Sequence, residues 1–154
     1  MSTSSNTNSE AENYQSEKRI MKFRIPGVPR GKGRPRFHRF GKNVVTYTST
    51  DTAVYENLIK LSYVEQCGVM LEGPIFAKIL GIFPVPESTS KKKRKEMLEG
   101  TIKYTKKIDC DNLAKTILDS LNGVAYADDK QVCELWIKKQ YGEIPMVEVT
   151  LMEL

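Results

Sequence analysis

The chain has 154 residues, 40% of them hydrophobic and 28% charged, which is enough for one domain with a real core. No apolar run approaches the ~20 residues that cross a membrane, and no basic segment followed by an apolar stretch opens the chain, so we expect neither a membrane span nor a signal peptide. The net charge of +5 and the pI of about 9.0 indicate a polyanionic partner, either nucleic acid or an acidic membrane surface.

The three cysteines, Cys67, Cys110 and Cys133, are widely separated, and none stands in a C-x-x-C pair. This spacing favours neither a zinc site nor a disulfide framework. A reducing cytoplasm is therefore the compartment that fits the sequence best.

Residues 1–19 are predicted to be a disordered tail, because Ser, Thr, Asn and Glu dominate them and almost nothing is apolar. Their net charge is −1, so residues 20–154, the predicted folded domain, carry +6. The basic bias therefore belongs to the domain. Its first strand is predicted at residues 20–25, where apolar and charged residues alternate before Pro26 and Gly27.

A basic segment follows, with six cations among the 13 residues 30–42. Interleaved Gly and Pro favour an extended loop, in which guanidinium groups and glycine amides can reach phosphates. We therefore predict nucleic-acid contacts for Arg30, Lys32, Arg34 and Arg36. A solvated basic loop without a ligand is the alternative. The segment is not a nucleotide-binding fingerprint, because it lacks the third glycine of G-x-G-x-x-G.

The rest of the chain predicts, in order, a hairpin (37–40 with 43–47), an amphipathic helix (51–66), a buried central strand (74–83), a short helix within 88–99, a strand or loop (102–104), and two closing strands (132–141 and 146–151). The short helix carries five adjacent cations at 91–95, which are either a solvated face or a second surface for a nucleic-acid backbone. The lone histidine, His38, cannot build a metal site by itself and is expected at the surface.

Residues 109–129 gather acidic side chains in this otherwise basic domain. Asp109 and Asp111 stand at the start of a further predicted helix. At 100° per residue, Lys115 lies about 40° and Asp119 about 80° from Asp111, so the three share one face, while the opposite face is apolar. Asp128 and Asp129 follow the helix after a short loop. Like charges brought together repel, and a divalent cation would relieve that repulsion.

Each acidic residue also has a structural explanation: Asp109 or Asp111 could cap the helix, Asp119 could pair with Lys115 at i, i+4, and Asp128 and Asp129 could be turn residues. Together, however, these carboxylates are too many near one helix to be explained by structural roles alone. Oxygen ligands without clustered His or Cys indicate Mg²⁺ or Mn²⁺. Such a metal on a phosphate-binding surface predicts phosphodiester hydrolysis, with Lys115 stabilising developing negative charge.

Three motifs in this region together resemble the signature of the RusA-type endodeoxyribonucleases, the Holliday junction resolvases of bacteria and their phages. They are Asp109-x-Asp111-Asn112-x-x-Lys115, Asp119-x-Leu121-Asn122-Gly123 and Tyr126-x-Asp128-Asp129-x-Gln131-Val132. The basic run 29–36 is similar to the N-terminal motif of that family, and the likeness spans residues 21–154. Two departures are Ile108, where proline is common, and Cys110, between two of the carboxylates; neither removes a ligand.

The resemblance implies a small α/β (α+β) fold in a single domain, a mixed sheet packed by helices, and an obligate homodimer. It implies Mg²⁺ dependence, or Mn²⁺, and paired symmetrical cuts in four-way DNA junctions, in a cytoplasmic bacterial protein encoded by a phage or prophage. Asp109, Asp111 and Asp129 match the metal-binding aspartates of the family, Asp128 and Asp119 match further acidic positions, and Lys115 matches its catalytic lysine. A nuclease of forks or flaps and a non-catalytic DNA-binding protein with structural aspartates are the alternatives.

Overall fold

The structure, a computed structural model, describes residues 17–34 and 36–154. Most of the predicted disordered tail, residues 1–16, lies outside the described residues, as does Pro35. The elements are β1 (Ile20–Pro26), β2 (Arg36–Phe40), β3 (Asn43–Tyr47), α1 (Thr50–Gln66), β4 (Ile75–Pro84), α2 (Lys91–Glu99), α3 (Cys110–Ser120), a 3₁₀ turn (Asp129–Gln131), β5 (Val132–Gly142) and β6 (Met146–Glu153).

Four strands form one sheet in the order β1-β6-β4-β5. β6 is antiparallel to both of its neighbours, whereas β4 and β5 are parallel, so the sheet is mixed. The predicted central strand is confirmed, because β4 lies inside the sheet between β6 and β5. β5 and β6 follow each other in the chain, yet they do not pair. The connection from β4 to β5 contains α2 and α3, since parallel strands need a long crossover.

Helices α1 and α3 pack together against one face of this sheet, which confirms a mixed sheet packed by helices. The core between them holds fully buried apolar side chains from every layer, among them Ile25, Ile59, Tyr63, Ile79, Leu113, Ile117, Val149 and Leu151. Gly81 of β4 allows α3 to approach closely, because a Cβ at that position would lie 2.8 Å from Leu113 Cδ2. The start of α3 is thereby fixed against the middle of the sheet.

The two predicted faces of α3 are confirmed. Leu113, Ala114 and Ile117 are buried, while Asp111 and Lys115 are exposed. Packing of one apolar stripe therefore turns the charged stripe of this helix outward. The helix begins at Cys110, just before the acidic position from which it was predicted to run.

Several predicted bounds needed adjustment. α2 begins at Lys91 rather than 88, because Ser90 caps it with a side chain that accepts a hydrogen bond from Lys93 N. Of the two alternatives for residues 102–104, strand or loop, the structure shows the loop. The predicted hairpin is confirmed as an antiparallel pair of β2 and β3, which form a separate two-stranded sheet. Among the described residues, no helix is both long and apolar enough to cross a membrane.

Glu153 ties both ends of the described domain to the loop before β4. Its carboxylate accepts hydrogen bonds from Arg19 N, from the Arg19 guanidinium at 2.7 and 3.0 Å, and from Glu72 N at 3.0 Å. The Arg19 side chain is the largest cause and these backbone bonds add to it, so that the pKa of Glu153 is lowered to about 2. The ionised carboxylate is therefore stabilised more in the folded protein than in the unfolded chain.

We expect Glu153→Gln to destabilise the protein at pH 7 by about 1 kcal/mol, since charge-assisted bonds at a partly exposed site are weakened by solvent. The ordinary pKa of 4.5 exceeds the folded value of about 2, so this contribution is complete above pH 4.5 and is lost as the pH falls towards 2. Urea unfolding at pH 7, 4 and 3 should show that the difference in free energy of unfolding between wild type and Glu153→Gln becomes smaller as the pH falls. An equal difference at pH 7 and pH 3 would contradict the ion pair. Glu143→Gln, in an exposed turn, is the control.

Candidate active site

Two aspartates lie at the start of α3 with carboxylates that no described residue engages. Asp109 occupies the N-cap position, but its side chain makes no capping hydrogen bond. Asp111 is exposed in the first turn, and neither carboxylate forms an ion pair or hydrogen bond within the described part of the chain. The structural alternative of a capping aspartate therefore holds for the position of Asp109 but not for its side chain. Both carboxylates are available to a ligand from solution.

A second acidic group, two helical turns further along α3, combines Asp119 with Asp128 and Asp129. Asp119 lies beside Asp129 and is the largest cause of the raised pKa of Asp129, with partial burial and Asp128 as further causes. Asp119 differs, because partial burial raises the pKa of its carboxyl but the bond from Lys32 and the proximity of Asp129 outweigh that effect, so its pKa is lowered. One carboxyl of the pair thus binds a proton more readily than the other.

Buried Tyr126 lies beneath these three aspartates. Burial raises the pKa of its phenol, and the charges of Asp129, Asp119 and Asp128 raise it further. The hydroxyl donates to Leu118 O at 2.6 Å, which fixes the ring against the end of α3. This packing holds the turn that follows α3 in contact with the last turn of the helix.

The turn itself is closed by hydrogen bonds that orient its two aspartates. Asp128 accepts from Lys130 N at 2.9 Å, which lowers its pKa, and its own amide donates to Gln131 Oε1. The amide of Asp129 donates to Asn122 Oδ1 at 2.7 Å. Asp128 therefore has the turn-capping role that the structural explanation assigned to it. The Asp129 carboxylate is the one that meets α3.

Lys32 of the basic segment is the cation that pairs with Asp119. Its Nζ lies 2.8 Å from Asp119 Oδ2 and 3.8 Å from Glu56 Oε1, and its side chain is only 34% exposed. The structural alternative, an i, i+4 ion pair between Lys115 and Asp119, is not found, because no ion pair of Lys115 occurs among the described residues. Lys115 is exposed and still contributes positive potential at Asp119.

The backbone around Lys32 is fixed to α3 by side chains that sequence reasoning missed. Lys32 N donates to Thr116 Oγ1 at 2.8 Å and to Asn112 Oδ1 at 3.1 Å. Gly31 makes this approach feasible, because a Cβ there would lie 2.4 Å from Asn112 Nδ2. The one signal in the sequence is the i, i+4 spacing of Asn112 and Thr116, which places both on one side of the helix. Part of the basic loop is thus anchored at the acidic face.

The structure brings some of the predicted site residues together and leaves others apart. Asp129 meets Asp119 and Asp128, whereas Asp111 lies eight residues from Asp119 on the helix, about 12 Å along its axis. Within residues 17–34 and 36–154, no three Asp, Glu, His or Cys side chains are grouped closely enough to hold a metal ion. The donor chemistry nevertheless fits a hard divalent cation, because carboxylate oxygens are its preferred ligands. The set of Asp109, Asp111 and Asp129 stays a prediction.

The predicted DNA-binding residues differ in exposure. Arg30, Arg34 and Arg36 are exposed, while Lys32 is half-buried and paired. His38 lies at the surface, as predicted, with its ring 4.8 Å from that of Phe40. The cations of α2 are exposed as well, and Lys95 approaches Glu99 at 3.8 Å. Contacts of these side chains with nucleic acid stay predictions.

Comparison with known proteins extends this picture over most of the chain. The model of the family described as Endodeoxyribonuclease RusA matches residues 26–152. The uncharacterized protein YqaN of Bacillus subtilis (strain 168) is 32% identical over 137 residues, which cover 87% of this chain and 96% of that protein. The matched range includes the basic segment, α3 and the turn that carries Asp128 and Asp129.

We expect Asp119→Asn to lower the pKa of Asp129, because the neighbour that raises it most would lose its charge. Carbon-13 NMR of the side-chain carboxyls, titrated in EDTA, measures that pKa directly. Asp111→Asn is the matched control, since it removes a carboxylate from the same helix face about 12 Å away. If Asp129 titrates identically in wild type and Asp119→Asn, the two carboxyls do not touch.

Proposed function

The chain belongs to the RusA endodeoxyribonuclease family, and from that membership we propose that it resolves four-way (Holliday) DNA junctions by paired symmetrical cleavage of phosphodiester bonds in a Mg²⁺-dependent reaction. The observation that carries the proposal is the convergence at α3: the basic segment is bonded to the same helix face that presents Asp111, Lys115 and Asp119. A phosphate backbone drawn to the cations would thus lie beside the carboxylates. We place this reaction in the cytoplasm of a bacterium, with a phage or prophage as the source of the protein.

The charge distribution supports a polyanionic substrate. Residues 20–154 carry +6, and the exposed guanidinium groups of Arg30 and Arg34 flank the point where the segment is anchored to α3. We assign phosphate contacts to these arginines and to Arg36, since one exposed guanidinium group can form two parallel hydrogen bonds with a phosphate group. Lys32 belongs to the same set of DNA-binding residues, but it contributes less to phosphate binding because its ammonium is already bonded to Asp119.

For the metal we propose Asp109, Asp111 and Asp129 as ligands of Mg²⁺ or Mn²⁺, with Asp128 as a further candidate. Asp109 and Asp111 suit this role because their carboxylates are exposed and are not used by described residues. Asp119 suits it less, since Lys32 already compensates its charge. A bound divalent cation supplies positive charge at the scissile phosphate and lowers the pKa of water.

Lys115 is proposed to stabilise the negative charge that develops on the phosphate during cleavage. Its ammonium cannot be a metal ligand, because two cations repel. It stands one turn from Asp111 and one turn from Asp119 on the exposed face of α3, so it reaches the space above both acidic groups. Preorganised charges of this kind contribute on the order of 10²–10³ in rate in other enzymes.

The direct test is cleavage of a synthetic four-way junction beside a linear duplex, a fork and a flap of matched sequence. We expect symmetrical cuts in the junction with MgCl₂, none with EDTA, and none in the duplex. Preferential cutting of forks or flaps would replace the junction by another branched substrate. If the protein binds these DNAs but cleaves none of the four, it is a non-catalytic DNA-binding protein and the proposed nuclease activity is wrong.

Two variants connect that activity to the site. Asp111→Asn should abolish cleavage but preserve or tighten junction binding in EDTA, because it removes one charge from the metal site and one repulsion towards DNA. Lys115→Ala should slow single-turnover cleavage on the order of 10²–10³-fold while divalent binding, measured by calorimetry, persists. Lys60→Ala, exposed on α1, is the control, and melting curves should agree for all four proteins. A folded Asp111→Asn that cuts at the normal rate would remove Asp111 from the site.

We also propose that the protein acts as a homodimer, because a four-way junction has two-fold symmetry and needs two opposed cuts. A C₂ dimer presents two equivalent sites in that relation. Light scattering at assay concentration should give about twice the chain mass of 17.5 kDa. A stable monomer that still makes both cuts in one encounter would contradict the dimer.

A further inference from the structure

The hairpin formed by β2 and β3 stands out because it buries neither of its faces. All ten of its residues are exposed, including the large side chains Phe37, Phe40, Val44, Val45 and Tyr47, which are between 46% and 70% exposed. A two-stranded hairpin is only marginally stable by itself in water, and clustered apolar side chains at a surface mark an interaction site. The exposed hairpin is therefore a candidate interaction surface.

The strand register shows the chemistry that each face offers. One face places Arg36 opposite Tyr47 and Phe40 opposite Asn43, and the other places Arg39 opposite Val44 beside Phe37. Both faces thus combine a guanidinium group with an aromatic ring. Residues 28–50 contain no Asp or Glu, so no acid in this segment offsets its cations.

The base of the hairpin is fixed beside the acidic face of α3. On the incoming side, Lys32 is bonded through its amide to Thr116 and through its ammonium to Asp119, and Gly33 N donates to Thr52 Oγ1 at 3.3 Å. On the outgoing side, Ser49 caps α1. Strands of five residues extend about 17 Å. The hairpin therefore begins close to the acidic face of α3 and is long enough to contact DNA beside a phosphate bound there.

We propose that this hairpin is a wedge that stacks Phe37 and Phe40 on bases at the branch point of DNA, while Arg36, Arg39 and Lys42 bind phosphates of the adjoining arms. The proposal rests on the proposed function and specifies how that site would recognise its substrate. Aromatic rings stack on bases without regard to sequence, and cationic β-ribbons fit against nucleic acid.

Charge decides between DNA and a second copy of this chain as the occupant. Two such hairpins would bring three cations each, Arg36, Arg39 and Lys42, against one another without an acid in either segment, and like charges repel. A DNA backbone supplies the opposite sign. Branch points are favoured over duplex because stacking is already interrupted there, so a ring meets an open base without first separating a stacked pair. The wedge therefore discriminates by structure rather than by sequence.

The test compares two double variants in binding assays with EDTA, against a four-way junction and a duplex of the same sequence. Phe37→Ala with Phe40→Ala should weaken junction binding on the order of ten-fold or more, leave duplex binding within about two-fold, and keep the salt dependence. Arg39→Ala with Lys42→Ala, the matched control, should weaken both substrates alike and reduce the log–log salt slope by about 0.9 for each phosphate that is no longer neutralised.

The two variants distinguish the wedge from an interface between two copies of the chain, and from failure of the proposed function. An unchanged junction-to-duplex ratio in the phenylalanine variant would overturn the wedge, even if the wild type cuts junctions as proposed. A wild type that neither prefers nor cuts junctions would instead overturn the proposed function. Light scattering completes the test, because a phenylalanine variant that becomes monomeric would make the hairpin an interface between copies. Melting curves should be unchanged, since neither ring is part of the core.

Discussion

The docking of the basic segment on α3 is the interaction on which the rest of the site depends. One amide, Lys32 N, is shared by Thr116 and Asn112, and the ammonium of the same residue bonds to Asp119. Without these bonds the segment 28–34 would be an independent basic loop at an unspecified distance from the acids. With them, cations that attract a phosphate backbone and carboxylates that suit a metal belong to one rigid surface, and Gly31 is the residue whose missing Cβ permits the contact.

The same interaction shows how a basic domain tolerates an acidic cluster. The charge of Asp119 is offset by Lys32, and Asp128 is satisfied by the backbone of its own turn. The repulsion that remains acts on Asp129, whose pKa is raised by its two acidic neighbours and by burial. Asp109 and Asp111 receive no such compensation from described residues, which suits the role as metal ligands that is proposed for them. The fold thus gives the five aspartates different partners, and only the tertiary structure shows which of them are already engaged.

Much of the architecture follows from local pattern. Alternation located β1, and the turn at Gly41 and Lys42 located the hairpin. A continuous apolar run located β4 inside the sheet, and 3.6-residue periodicity assigned the buried and exposed faces of α3. The match of the family model over residues 26–152 agrees with the resemblance carried by the aspartate motifs. The predictions of β1, β4 and α3 share a cause, since burial of an apolar face is encoded within ten or so consecutive residues.

What the sequence determined by itself was therefore the type and orientation of the elements and the family of the chain. The partner of each charged side chain was decided only by the tertiary structure. Local spacing offered Lys115 as a partner of Asp119, but the bond is made by Lys32, 87 residues away, because the segment that carries it is packed against α3. The separation of β5 from β6 by β4 has the same origin. Periodicity specifies which side of an element faces the core, whereas contacts between distant segments depend on how the whole chain packs.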